Sequence, residues 1–285
     1  MRKASWQPLR KPDSIPVFIS NQQPNHSFID FLGEQADEHY FLKTEYASKG
    51  NHYDAGDHYD ADLLKKLDEI LPEADASSSS HYRYRKLFVV LHTYGSHFNY
   101  QERYPRSFAY FKPDSRSEAK PENRQDLLNA YDNTIRYTDY ILHGIVERLQ
   151  KWEKTQAKMD GVYCQPTSAM LYTSDHGENI FDDDRRLFLH AAPKVSDYEL
   201  HVPFIIWTSE SFGKQYPGTW KALEENRTKQ VQTSLSAFHT MLGIGGIRTP
   251  YRLDEYSVAS GKYHPARLLY LDDHDEAIPQ EDAKF

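Results

Sequence analysis

Leu87-Phe88-Val89-Val90-Leu91 is an unbroken apolar run, entered from Lys86 and left through His92-Thr93-Tyr94-Gly95-Ser96-His97. A strand with one wet face alternates apolar and polar residues. A continuous run instead predicts a strand covered on both faces, as in a parallel sheet flanked by helices. A second apolar run, Met170-Leu171-Tyr172-Thr173, delivers Ser174-Asp175-His176-Gly177-Glu178 at its end. Val17-Phe18-Ile19 and residues 202–207 read as further strands, and Phe41-Leu42 as a weak one. Between them, 61–71 repeats Leu63, Leu64, Leu67, Ile70 and Leu71 at helical spacing before Pro72. Residues 127–149 place Leu128, Tyr131, Ile135, Ile141, Leu142, Ile145, Val146 and Leu149 on one helical face. Pro24-Asn25-His26-Ser27 opens a helix through Phe28, Ile29 and Leu32, 77–80 reads as a loop, and 231–242 forms a helix closed by Gly243. Strands separated by helices over this length predict an α/β fold with a largely parallel sheet. In such sheets ligands sit beyond the carboxyl ends of the strands, where both polar clusters fall.

Asp175 and His176 offer an oxygen and a nitrogen ligand side by side where the chain leaves a strand, a pair that suits zinc or another borderline transition metal. Gly177 permits a close backbone approach, and Glu178 could orient His176 through a hydrogen bond. His97 and His190 each end an apolar stretch and could donate to a phosphoryl oxygen or carry a proton, although ordinary loop histidines have the same local sequence. His92 sits closer to its strand and reads as buried structure. Asp182-Asp183-Asp184 lacks the spaced oxygen ligands of a calcium loop and reads as solvated. Cys164-Gln165-Pro166-Thr167-Ser168 has Ser168 where a formylglycine-forming sequence needs arginine.

The 34 Lys and Arg residues against 42 Asp and Glu leave a net charge of −8, which argues against a nucleic-acid binder. Neither a run of about 18 apolar residues nor a signal peptide is present, so no membrane span is expected within these residues. Cys164 is the only cysteine, so neither a disulfide framework nor a compartment follows from it. Residues 1–15 read as a flexible arm and 16–285 as a single domain.

The order of motifs is more specific than any one of them. Phe18-Ile19-Ser20-Asn21-Gln22 is followed by Leu91-His92-Thr93-Tyr94-Gly95-Ser96-His97, then by Arg103-Tyr104-Pro105 with Phe108 and Phe111-Lys112-Pro113. Next come Asn129-Ala130-Tyr131-Asp132-Asn133, Ser174-Asp175-His176-Gly177-Glu178, Leu189-His190 and His201-Val202-Pro203. Together these resemble the soluble domain of bacterial phosphoethanolamine transferases, of the alkaline phosphatase and sulfatase type, from about Pro16 to Leu242.

The resemblance implies a three-layer α/β sandwich with a largely parallel central sheet. It also implies Zn2+-dependent transfer of phosphoethanolamine from phosphatidylethanolamine to lipid A or another cell-envelope glycan, through a threonine phosphoenzyme. Asp175 and His176 match metal ligands of that family, and His97 and His190 match histidines around the phosphoryl group. The full-length family works at the periplasmic face of the inner membrane. Its first strand, metal carboxylate and nucleophile helix precede the segment that begins here at Ser20, and Thr44 and Thr93 come too late to supply the nucleophile. The expectation is therefore a chain lacking that first strand and helix, weakly active or inactive alone, with dimerisation as one way to cover an exposed edge. An ester hydrolase of the same superfamily, a non-catalytic fragment and a metal-sensing or storage role are the alternatives.

Overall fold

Ile15, Val17 and Ile19 alternate along one side of a strand, and the computed structural model places them in β1 (Ser14–Ser20), with all three almost completely buried. The structure describes residues 14–24, 28–43, 58–71, 86–159, 165–190, 195–271 and 276–280. The chain forms two compact units, residues 1–161 and 162–285. The loop expected at 77–80, residues 25–27, Thr44, Cys164 and residues 1–13 of the expected arm lie outside the described residues.

In the first unit β1 lies between two parallel neighbours, β2 (Glu38–Phe41) and β3 (Lys86–His92), in the order β2-β1-β3. The register sets Ile15 beside Leu87, Val17 beside Val89 and Ile19 beside Leu91. One face of the sheet is thus a continuous apolar surface, which Leu63 and Ile70 of α2 (Ala61–Ile70) cover. Burying side chains of this kind contributes about 1.5–3 kcal/mol each. On the other face α1 (Phe28–Gln35) comes so close that a Cβ on Gly33 would stand 2.7 Å from the Phe41 ring. β3, expected to be covered on both faces, is half-buried and pairs only with β1 among the described residues, while β1 holds the central place.

The long helix α3 spans Arg124–Met159. Its buried positions Ala130, Thr134, Tyr137, Ile141 and Ile145 recur at helical spacing. Ile135, expected on the core stripe, is instead 50% exposed. The physical reason is a set of buried polar groups one face over, where Asp126, Asn129 and Asn133 bond the backbone of the preceding loop and fix the helix rotation.

The second unit contains β4 (Ala169–Thr173) paired with β7 (Phe204–Thr208), and a short hairpin of β5 (Asn179–Ile180) with β6 (Phe188–Leu189). One-turn α4 (Asp197–Leu200) precedes β7, and α5 (Glu210–Gln215), α6 (Pro217–Asn226) and α7 (Thr233–Ile244) follow it. β8 (Leu269–Leu271) and β9 (Ala277–Pro279) form a last ladder. The α/β class stands, with its parallel pairing in the first unit. All three ladders of the second unit are antiparallel. The chain between β4 and β7, residues 174–203, is built as a short hairpin and one helical turn rather than as a crossover helix packed back on the sheet, and β7 returns antiparallel to β4.

Candidate active site

The loop leaving β4 carries Asp175, His176 and Glu178, and the loop leaving β6 carries His190. Gly177 brings the first of these against α4. Its N–H donates to Glu199 O at 2.7 Å, and a Cβ there would lie 2.0 Å from Tyr198 O, so only glycine fits without moving backbone. The receiving helix is itself fixed. Ser196 and Glu199 form a reciprocal capping box, and Ser196 Oγ donates to Asn179 Oδ1 at 2.6 Å. Asn179 Nδ2 donates to Leu189 O at 2.8 Å, so one buried chain of bonds locks both loops together.

The two imidazoles stack at 3.7 Å between centroids, and His176, Glu178 and His190 form a group able to hold a metal, with ligand atoms within 4.8 Å of one another. His190 Nδ1 lies 3.0 Å from Glu178 Oε1, and His176 Nδ1 lies 2.8 Å from Gly177 O. A carbonyl and a carboxylate only accept, so both Nδ1 atoms carry a hydrogen, and in the neutral tautomer this selects, Nε2 is the ligand atom. Glu178 was expected to orient His176. The structure gives it to His190, with His176 Nδ1 4.0 Å away. Glu178 is 4% exposed, whereas the Asp175 side chain is 88% exposed, with Oδ2 3.7 Å from His176 Nε2. Asp175, His176 and His190 also line an open cavity of about 1430 Å³, whose wall includes Ile205 and Trp220.

Asp182-Asp183-Asp184 is a surface loop. Asp183 pairs with Arg185, whose guanidinium holds the Asp183 carboxyl below its ordinary value. Phe181, Arg186 and Leu189 hold positive φ angles of 54°, 52° and 63°, a region that costs a non-glycine residue about 1–2 kcal/mol. The tight hairpin ending at His190 is therefore built against local preference.

His97 lies in the first unit, in the loop after β3. It is exposed, and its Nδ1 donates to Phe98 O. This loop is held through its backbone. The buried Asp60 carboxylate accepts from Tyr94 N and Gly95 N at 2.9 Å each and from Asn21 Nδ2 at 2.8 Å. Gly95 makes the turn with φ 61°. The Tyr94 ring stacks against the Arg103 guanidinium at 3.8 Å and the Lys43 ammonium at 4.2 Å, and burial, then Arg103, lowers the Lys43 pKa. His92, set aside as structural, bonds Ser20 Oγ at 2.9 Å. Sequence reasoning missed Asp60, and its position before a periodic helix would have read as an N-cap, a bond its side chain does not make because the carboxylate is taken by Tyr94, Gly95 and Asn21. It also missed the Ser196-x-x-Glu199 pattern of the capping box.

Residues 16–247 match the family model described as Sulfatase. The chain is 31% identical over 185 residues to phosphoethanolamine transferase EptA of Salmonella typhimurium, covering 64% of this chain and 31% of that protein. The match thus spans about a third of that relative's length. Among solved structures, the soluble domain of lipooligosaccharide phosphoethanolamine transferase A from Neisseria meningitidis superposes with a TM-score of 0.69 at 22% identity, over 88% of this chain and 68% of that one. The C-terminal periplasmic domain of EptC from Escherichia coli, solved in complex with Zn, gives a TM-score of 0.67 at 18% identity, over 95% and 70%.

Proposed function

Because the chain belongs to the sulfatase family, we propose that it carries a phosphoethanolamine transferase site, taking phosphoethanolamine from phosphatidylethanolamine to lipid A or another cell-envelope glycan. The observation that carries this reading is the locked pair of loops in which His176 stacks on His190 and Glu178 bonds His190, within a chain 31% identical to a phosphoethanolamine transferase. Residues 16–285 act on this reading as one sulfatase-like domain at the periplasmic face of the inner membrane.

The donor set suits zinc. Two ligands on a tetrahedral zinc stand about 3.4 Å apart for bonds of about 2.1 Å, and Asp175 Oδ2 and His176 Nε2 are 3.7 Å apart. Asp175 and His176 hold the ion, and zinc supplies Lewis-acid polarisation of a phosphoryl oxygen when bound. His190, its Nδ1 fixed on Glu178, presents Nε2 to a phosphoryl or leaving oxygen, where it accepts or returns a proton. The threonine nucleophile of the family is assigned to no residue of this chain.

The test is transfer by the zinc-loaded chain from phosphatidylethanolamine to lipid A, read as the mass of one added phosphoethanolamine group. With no threonine nucleophile assigned, the expected result is at most weak transfer by the wild type, lost in His176→Ala and His190→Ala. Hydrolysis of a small aryl phosphate without transfer would replace this reading by the hydrolase one. An inert wild type would leave a non-catalytic family member.

A further inference from the structure

The cavity lined by Asp175, His176 and His190 holds about 1430 Å³, more than the roughly 300–1,000 Å³ of a pocket for one small ligand. It has room for a second group beside the one at the histidines. Part of its wall is α6 and the chain that follows. There Trp220 is 45% exposed, yet its ring is held. A Cβ on Gly213 of α5 would stand 3.3 Å from Trp220 Cδ1, 3.5 Å from Cγ and 3.6 Å from Nε1. Near-equal distances to three atoms of the five-membered ring put α5 over its face, since an edge-on approach would leave Cγ and Nε1 well behind Cδ1. One face of the indole therefore rests on α5, and the other is open to the cavity.

The polar groups that follow the ring are carried on fixed backbone. Asn226, buried, donates through Nδ2 to Val258 O at 2.9 Å and to Ser260 O at 3.0 Å, and Tyr263 OH donates to Gln230 O at 2.6 Å. Around these anchors Glu224, Arg227, Lys229 and Gln230 line the cavity, all four exposed. Glu224 and Arg227 touch at 3.4 Å but keep 48% and 71% of their side chains in water. A wall whose ring and backbone are already in place loses little conformational freedom when it binds.

The hydrogen-bonding chemistry of that wall identifies the ligand. Glu224 and Gln230 supply acceptors, and Arg227, Lys229 and Gln230 supply donors. An anion alone calls for donors, and a hydrocarbon chain for neither. A ligand bearing many hydroxyls uses both. A pyranose ring has hydroxyls around its rim and C–H groups on its face, and the negative face of an aromatic ring attracts those C–H groups.

We infer that Trp220 is a stacking platform for a sugar ring of the acceptor, whose hydroxyls Glu224, Arg227, Lys229 and Gln230 meet. The inference deepens the transferase reading and rests on it for the sugar's role as acceptor, whereas sugar binding itself needs neither metal nor donor. The test is calorimetry of the full chain with a soluble, unacylated, phosphorylated glucosamine disaccharide, run without zinc and without phospholipid. The wild type is expected to bind it. Trp220→Ala should weaken binding by about tenfold, whereas Trp220→Tyr, which keeps an aromatic face, should stay within about threefold of the wild type. Gln230→Ala leaves the backbone bond from Tyr263 in place and should weaken binding by about threefold at an unchanged melting temperature. No binding by the wild type, binding indifferent to Trp220→Ala, or equal losses in Trp220→Ala and Trp220→Tyr would overturn the inference. So would uptake of a short-chain diacyl phospholipid that Trp220→Ala abolishes while sugar binding persists, since the ring would then be an acyl-chain contact. A chain that binds the sugar through Trp220 but transfers nothing keeps this inference and loses the transferase reading. One that transfers to lipid A without binding the sugar does the reverse.

Discussion

The loops that follow β3 and β4 both bring histidines past the end of an apolar strand, yet they are held in opposite ways. After β3 the backbone is fixed from outside, by the Asp60 carboxylate that accepts from Tyr94 N and Gly95 N, and the His97 side chain is exposed, bonded to Phe98 O and set edge-on to the Tyr94 ring. After β4 the side chains themselves are fixed, His190 on Glu178, His176 on Gly177 O, and each ring on the other. The first arrangement sets where a histidine is carried and leaves its ring free to adapt. The second sets the ring orientation and tautomer before any ligand arrives, as a metal site or a proton-transferring group requires.

The sharpest way to break this contrast is Gly177→Ala. A Cβ 2.0 Å from Tyr198 O must push the β4 loop off α4, and zinc affinity is expected to fall by about 100-fold, with about 3 kcal/mol of stability lost. Calorimetry and thermal melting check both. Asp60→Ala strips three donors of their acceptor and should cost about 2–3 kcal/mol, while zinc affinity at Asp175 and His176 stays unchanged. A fall in zinc affinity in that variant would show that the two loops are not fixed independently. Glu178→Gln keeps the shape and weakens the orienting bond, with an expected loss of about tenfold in zinc affinity.

His239 gives the smallest and most selective effect. Burial holds its pKa below the ordinary histidine value, and its Nδ1 accepts from Leu253 N at 3.2 Å, so the folded ring is neutral. The unfolded chain takes up a proton near pH 6.5 while the folded chain resists it. Stability is therefore complete above that pH and declines as the pH drops through the window below it. His239→Gln should flatten that acid-side decline in a pH series of melting temperatures.

Much of the fold was readable because its elements are strongly periodic. β3, β4, the helix at 61–70 and the 127–149 part of α3 follow directly from apolar spacing, while of β1 only Val17-Phe18-Ile19 was legible and Ser14 and Ile15 fell within the expected arm. The central position of β1 was not readable, since a run of five apolar residues looks the same at an edge as in the middle of a sheet. Ile135 shows the same limit on a helix. Its spacing fits the core stripe, but buried Asn133 and Asp126 set the rotation of α3, and periodicity counts only apolar residues. At the site, Asp175, His176 and His190 were visible as motif residues. The partnership of Glu178 with His190 was not, because it joins residues 12 apart across a hairpin whose residues at positive φ are not glycine.

The central proposal is that Asp175 and His176 in the second unit hold a metal ion. Zinc calorimetry on the metal-stripped chain, beside Asp175→Ala and His176→Ala, tests it most directly. One ion per chain, lost in both variants, is the predicted result. No binding, or binding that neither substitution disturbs, would contradict it.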